Sequence, residues 1–504
     1  MSSDYKSENA SKNDQQKNNA NIIETQEDEP ELKMEVACVP GLEAEKTQSS
    51  CQSETSDSGS SLASDNEKEG EGFRDVLCQT WLPFIIGGLG SISAGLALNR
   101  IQKMALVCEV PQFIAMCPPL QGMKGNLDNT FTSRLGTMAH QGRFEATGYL
   151  EPLLRIIILI QAQAVLISLF ATLITFVLEL LKIAGVHEHP PVNNYLFLGS
   201  NALFAMCIAC AISSFALLYM VVFTYRHSLN PDNVVSPLAA SIGDLFTIGV
   251  MIGVAVLYYP VASLSICVPI VMILIFLAFT PVCLRVAYKD EEAWRAARQQ
   301  GPTLLLAAIL SSGAGIIQAF GATMYPELTI YQPLMAGAIG NRASTQSSRI
   351  SSYLHTHKDA TDRRQRRLNP WEYYTSRDSE SRTAFYLVST TVPYQMLYVF
   401  ISHLIAYVAL KPLKLNVLFL FGYAGTAFIQ ALFVVYLAEV VVYTLFGYGI
   451  DPDLHAIPML TSIGDLCGTS LLLLLFYLMH FIDDTVVVSN SHRVENTTAI
   501  CSYE

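Results

Sequence analysis

The chain has 504 residues, of which 51% are hydrophobic and only 15% charged, where a soluble domain carries about a quarter. Several apolar runs exceed the roughly 18 residues that cross a bilayer, which excludes a soluble globular domain and indicates a polytopic membrane protein. The net charge of -12 comes largely from one acidic tail and is no argument for or against nucleic acid as a partner.

In chain order, residues 1–75 form an acidic segment rich in Ser, Asn, Gln, Glu, Asp and Lys with few aromatics. Such a composition cannot bury a core, so the segment reads as a disordered cytoplasmic tail. Residues 76–260 hold apolar segments at 79–100, 104–122, 153–181, 195–225 and 235–258. Residues 261–301 hold one more, at 263–287, followed by a charged connection. Residues 302–485 hold five again, at 302–324, 326–340, 385–410, 415–447 and 456–482, before a short tail at 486–504. The expected fold is all-α, with two five-helix repeats joined by one linker helix, about eleven transmembrane helices. An odd linker restores the parallel orientation of two five-helix halves, which relates them by an axis along the membrane normal.

Loop charges set the orientation. Arg134, Arg143 and Arg155, then Lys289, Arg295 and Arg298, then the cluster from Lys358 to Arg382 fall in connections that are cytoplasmic when the N-terminus is inside. Eleven spans then put the C-terminus outside, where Asn496-Thr-Thr498 forms a glycosylation sequon. The 11 cysteines form no disulfide framework, and Cys207 and Cys210 read as small packing residues in an apolar helix. His187-Glu-His189 and His355-Thr-His357 read as solvated loop residues rather than a metal cluster.

Two motifs occur twice. Pro118, Gly122, Gly125, Asn126, Ser133 and Arg134 recur as Pro333, Gly337, Gly340, Asn341, Ser348 and Arg349, all at an offset of 215. They end the two short segments, and glycines there suggest backbone unwound at membrane depth, with carbonyls and Asn amide oxygens as hard ligands. The second motif is Pro237…Ser241-Ile-Gly243-Asp244, repeated as Pro458…Ser462-Ile-Gly464-Asp465 at an offset of 221. A carboxylate inside a membrane helix is expensive and functional by default. Two of them, at equivalent points of two halves, suggest facing carboxylates around a cation. Ser241 and Ser462 share the aspartates' helical faces. Two positions break the symmetry. Thr247 is matched by Gly468, and Asp128 by Ala343.

The combination resembles solute carrier family 41, the animal relatives of the bacterial MgtE magnesium transporters. The resemblance covers about residues 75–485. It rests on Lys124-Gly-Asn-Leu-Asp128 with Ser133-Arg134-Leu, on Gly340-Asn341 with Gln346-Ser-Ser-Arg349, on Pro237–Thr247 and on Pro458–Leu466. It implies two MgtE-like repeats equivalent to the subunits of a dimer, with magnesium as the principal cargo. Asp244 and Asp465 match the family's pore aspartate. The expected metal-contacting set is Asp244, Asp465, Asn126, Asn341, Ser241, Ser462, Gly125, Gly340, Asp128 and Thr247.

The expected function is transport of magnesium, with other divalent cations open, by a carrier. Sodium-coupled exchange, a passive magnesium-selective channel and a non-transporting receptor or accessory subunit stand as alternatives. An intramembrane aspartyl hydrolase is disfavoured because the Gly-x-Gly-Asp setting is absent, so no enzyme is expected. No cofactor is expected beyond Mg2+ as the transported ion. The expected partners are Mg2+, sodium if coupling holds, and the lipid bilayer, with no nucleic acid. The expected location is the plasma membrane. Hard oxygen ligands suit magnesium, whereas zinc or copper favours thiolate or imidazole.

Overall fold

The computed structural model describes residues 73–140, 144, 150–183, 192–226, 231–356, 369–376, 379–410 and 417–482. The acidic N-terminal tail, the His187–His189 loop, the Arg363–Arg367 cluster and the C-terminal tail with its sequon lie outside them.

All described regular structure is helical. The first half contains α1 (Phe73–Ile101), the short α2 (Ala105–Glu109), α3 (Phe113–His140), α4 (Leu150–Ile183), α5 (Val192–Arg226) and α6 (Pro231–Ala262). Then come α7 (Cys267–Ala287) and α8 (Glu291–Met324). The rest is α9 (Leu328–Thr356), α10 (Pro370–Thr375), α11 (Ser379–Ser389), α12 (Thr391–Leu410), α13 (Val417–Gly447) and α14 (Pro452–Ile482).

Among the described residues, nine helical spans are long and apolar enough to cross a membrane. Two further long helices, α3 and α9, are too polar to count by composition, and they correspond to the two segments read as short. Both are enclosed by other helices: Tyr331 through Ala336 on α9 are all buried, as are Phe113 through Gln121 on α3. A helix wrapped by protein need not be apolar all round, because its surface meets side chains rather than lipid.

The glycine motifs depart from expectation. The backbone is not unwound: α3 runs unbroken for 28 residues through Gly122, Gly125 and Asn126, and α9 for 29 through Gly337, Gly340 and Asn341. Continuous helix engages the carbonyls in its own ladder, so backbone ligation there is not what the glycines provide. Away from water, the helix is the form that satisfies every peptide group, and this overrides the low helix propensity of Gly and Asn.

Two boundaries also shift. The helix expected from 302 begins at Glu291, where Asp290 caps it by accepting from the Ala293 amide at 3.0 Å. Arg295 and Arg298 therefore sit on a helical extension rather than in a loop. The segment expected at 385–410 is two helices, α11 and α12, divided at Thr390.

The halves are interlocked through their first helices. Helix α1 packs on α6 of its own half and on α9 of the other, while α8 packs on α14 and on α3. Ile92 of α1 belongs to the apolar core of the second half, and Leu304, Ala307 and Ala308 of α8 to that of the first. Glycine makes both crossings possible. A Cβ on Gly95 would fall 2.0 Å from the Ile330 carbonyl oxygen, and one on Gly315 would fall 2.1 Å from that of Ala115. Arg342, fully buried on α9, stacks its guanidinium over Phe84 of α1 and Tyr394 of α12 at 4.9 and 5.4 Å and donates to the Leu387 carbonyl at 3.2 Å.

Candidate cation site

One cavity of about 80 Å3 is walled by both halves. Its lining includes Asp244, Asp465, Gly122, Gly125, Asn126, Gly337, Gly340 and Asn341. The glycines and asparagines of the first duplicated motif and the carboxylates of the second thus reach the same small space. Pockets for drug-sized organic molecules run to about 300–1,000 Å3. This one has room for a small ion and a few waters.

Each aspartate belongs to one half and rests against a glycine of the other. A Cβ on Gly122 of α3 would lie 3.2 Å from Asp465 Oδ2, and one on Gly337 of α9 would lie 3.4 Å from Asp244 Oδ2. The missing side chains of these two glycines give the carboxylates their places. Gly125 is open, with nothing within 4 Å of its Cβ position, and at Gly340 only Thr461 Cγ2 approaches, at 3.7 Å.

Two serines that the sequence reading missed complete this arrangement. Ser311 Oγ of α8 donates to Asp465 Oδ2 at 3.1 Å. Ser91 of α1 stands at the equivalent place, with its Oγ 2.7 Å from the Cβ position of Gly337. A third duplicated motif marks them, Ser91-x-x-Ala94-Gly95 and Ser311-x-x-Ala314-Gly315, offset by 220. The same motif supplies the crossing glycines and the site serines.

Not every expected ligand reaches the cavity. The hydroxyl of Thr247 donates to the Gly243 carbonyl at 2.7 Å, and that of Ser462 to the Pro458 carbonyl at 2.8 Å. Neither residue lines the cavity, because a buried hydroxyl on a helix is satisfied by the carbonyl one turn back. The side chain of Ser241 lies outside the described part of the structure. Asp128 is not at the cavity wall either. It forms an ion pair with Lys124, one turn earlier on α3, and accepts from Ser213 of α5 at 2.9 Å. On the second-half side, Thr461 donates to Asn126 Oδ1 at 3.3 Å, while the Asn126 amide nitrogen, buried at the wall, has no hydrogen-bond partner.

A family model described as "MgtE: Divalent cation transporter" matches residues 117–254 and 332–475. The chain belongs to this family. Its matched stretches begin 215 residues apart, at the offset of the glycine motif, and leave out all of α1 and all of α8. Among similar proteins are "Solute carrier family 41 member 3" of Rattus norvegicus, 29% identical over 81% of this chain and 88% of the relative. "Solute carrier family 41 member 2" of Homo sapiens is 27% identical over 83% of this chain and 72% of the relative. These likenesses agree with the resemblance to solute carrier family 41 carried by the motifs. No solved structure matches. The chain is an integral membrane protein of a divalent-cation transporter family and not an enzyme.

Proposed function

We propose that this MgtE-family chain carries Mg2+ through a pseudo-two-fold pathway in which Asp244 and Asp465 are the central ligands. The observation that supports it is the meeting of both carboxylates, from equivalent positions of two halves, in one small cavity. Two carboxylates confined together repel unless a cation lies between them. Magnesium keeps several of its waters and is gripped through one or two carboxylates, which suits a site with few direct ligands. Asn126 and Asn341 add neutral oxygen donors, and Ser311 holds the Asp465 carboxylate with a hydrogen bond. The path follows the axis relating residues 76–260 to 302–485, with the N-terminus cytoplasmic, the C-terminus extracellular and the protein in the plasma membrane.

The chain acts as a carrier in this reading, with sodium as the exchanged ion. Magnesium influx in transport-deficient cells, followed with an intracellular magnesium dye, tests the ligands. Asp244→Asn or Asp465→Asn should each lower flux at least about ten-fold, since a single lost charge in a water-poor site is worth more than one pKa unit of interaction. The double variant should be inactive. Wild-type flux through a well-expressed double variant would place the site elsewhere. Purified protein in liposomes, with and without a sodium gradient, separates exchange from passive conduction. Flux indifferent to that gradient would discard the sodium-coupled reading.

A further inference from the structure

Lys124 and Asp128 form a buried charge cluster present in one half alone. Both are almost fully enclosed, at 2% and 4% exposure. Their equivalents at the offset of 215 are Ile339 and Ala343, which pack in an apolar core. At these two positions the second half builds its helix contact with apolar side chains, so packing alone does not require the pair. Apolar residues of similar volume commonly replace a buried ion pair at no loss of stability.

The cluster's position gives it another use. The Lys124 ammonium lies 3.1 Å from the Cβ position of Gly243, the residue next to Asp244, and Asp128 Oδ2 lies 3.6 Å from the same point. The following residues on α3, Gly125 and Asn126, line the cavity. The pair is thus pressed between the α3 wall and the backbone that carries one of the two central carboxylates. Ser213 fixes the far carboxylate oxygen of Asp128, and the ring of Phe246 stands 5.8 Å from the ammonium. Charges in such a setting are weakly screened and act on neighbours beyond contact distance.

We propose that Lys124 is a tethered counter-ion that sets the charge of the first half-site, fixing how tightly the transported divalent cation is held there. Asp128 holds the ammonium in place. With the pair intact, the pathway presents the two carboxylates of Asp244 and Asp465. Without the ammonium, Asp128 becomes a third carboxylate beside the path. Without Asp128, the ammonium is left uncompensated against Asp244 and repels the cargo. Lys124 and Asp128 thereby tune affinity in opposite directions from one location.

This inference rests on the proposed role of Asp244 and Asp465, and the test separates the two. The full-length chain is expressed in transport-deficient cells, and KM and maximal rate for Mg2+ are measured with surface abundance as the normaliser. Lys124→Met should lower KM about ten-fold and reduce the maximal rate, because an ion held by an additional charge leaves slowly. Asp128→Asn should raise KM about ten-fold. Lys124→Met combined with Asp128→Asn should bring KM to a value between the two. Lys124→Arg keeps the charge and should leave KM nearer to wild type than Lys124→Met does. A merely structural pair predicts the same direction of change in both single variants, with KM unmoved and abundance reduced, and that result would overturn the inference. Asp244→Asn with Asp465→Asn is run alongside. If that variant transports normally, the underlying site assignment fails. If it is inactive while the single variants at 124 and 128 show no opposed KM shifts, only the counter-ion assignment fails.

Discussion

Ser91 and Gly337 set a test at the smallest scale. A methyl group on Gly337 would lie 2.7 Å from Ser91 Oγ and 3.4 Å from Asp244 Oδ2. Gly337→Ala should therefore push the serine aside and disturb the carboxylate, with magnesium uptake falling several-fold. Adding Ser91→Ala removes the clashing oxygen and should recover part of the loss, whereas a defect unrelated to this contact would not respond. Ser311→Ala removes the donor to Asp465 and should raise KM at least about ten-fold, as a hydrogen bond to a charged group is worth about 1.5–3 kcal/mol net of exchange with water and about 1.4 kcal/mol is a factor of ten. Uptake kinetics check both. The aspartates were legible in the sequence because a carboxylate has no ordinary place in an apolar run. The serines were not, since Ser with Ala and Gly in a membrane helix has the look of close packing, which the same motif also provides. The Lys124–Asp128 pair was legible in principle: a lysine and an acid four apart on a helix face one another. Its meaning emerged only with Gly243 beside it.

The elements that decide the geometry are the two crossings of α1 over α9 and α8 over α3. At Gly95 and Gly315 the partner's carbonyl oxygen occupies the space of a side chain. Gly95→Ala or Gly315→Ala forces the helices apart and should destabilise the fold by about 1–3 kcal/mol, the usual range for overpacking. Thermal unfolding of the detergent-solubilised protein, followed by loss of monodisperse material, measures it. Unchanged melting of both variants would mean that the crossings are looser than described. Apolar runs in the sequence located every long helix but misjudged the extent of α3 and α9. Gly, Pro and Asn weaken a helix in water, and the reading ended each segment where they accumulate. Enclosure by other helices reverses that preference, and enclosure is a property of the assembled protein rather than of the segment. The start of α8 at Glu291 was hidden for a related reason: charged residues and Gly301-Pro302 resemble a loop, although an aspartate cap stands directly before them.

Over the whole molecule, the halves are not separate domains. Each carboxylate leans on the other half's glycine, and each half's core contains part of the other half's first helix. Fragments cut between Ala262 and Cys267 should accordingly be unstable when expressed singly. Expressed together, they should copurify and recover magnesium uptake. A first fragment that folds and remains monodisperse alone would contradict the interlock. The asymmetry of Lys124 and Asp128 against Ile339 and Ala343 has a further consequence for such a molecule. In a dimer of identical chains every substitution is made twice, so the charge around a shared axis changes only by even numbers. One continuous chain is free of that parity. It can alter the field around a single ion by one unit at a time, on one side, while the opposite side keeps its original chemistry.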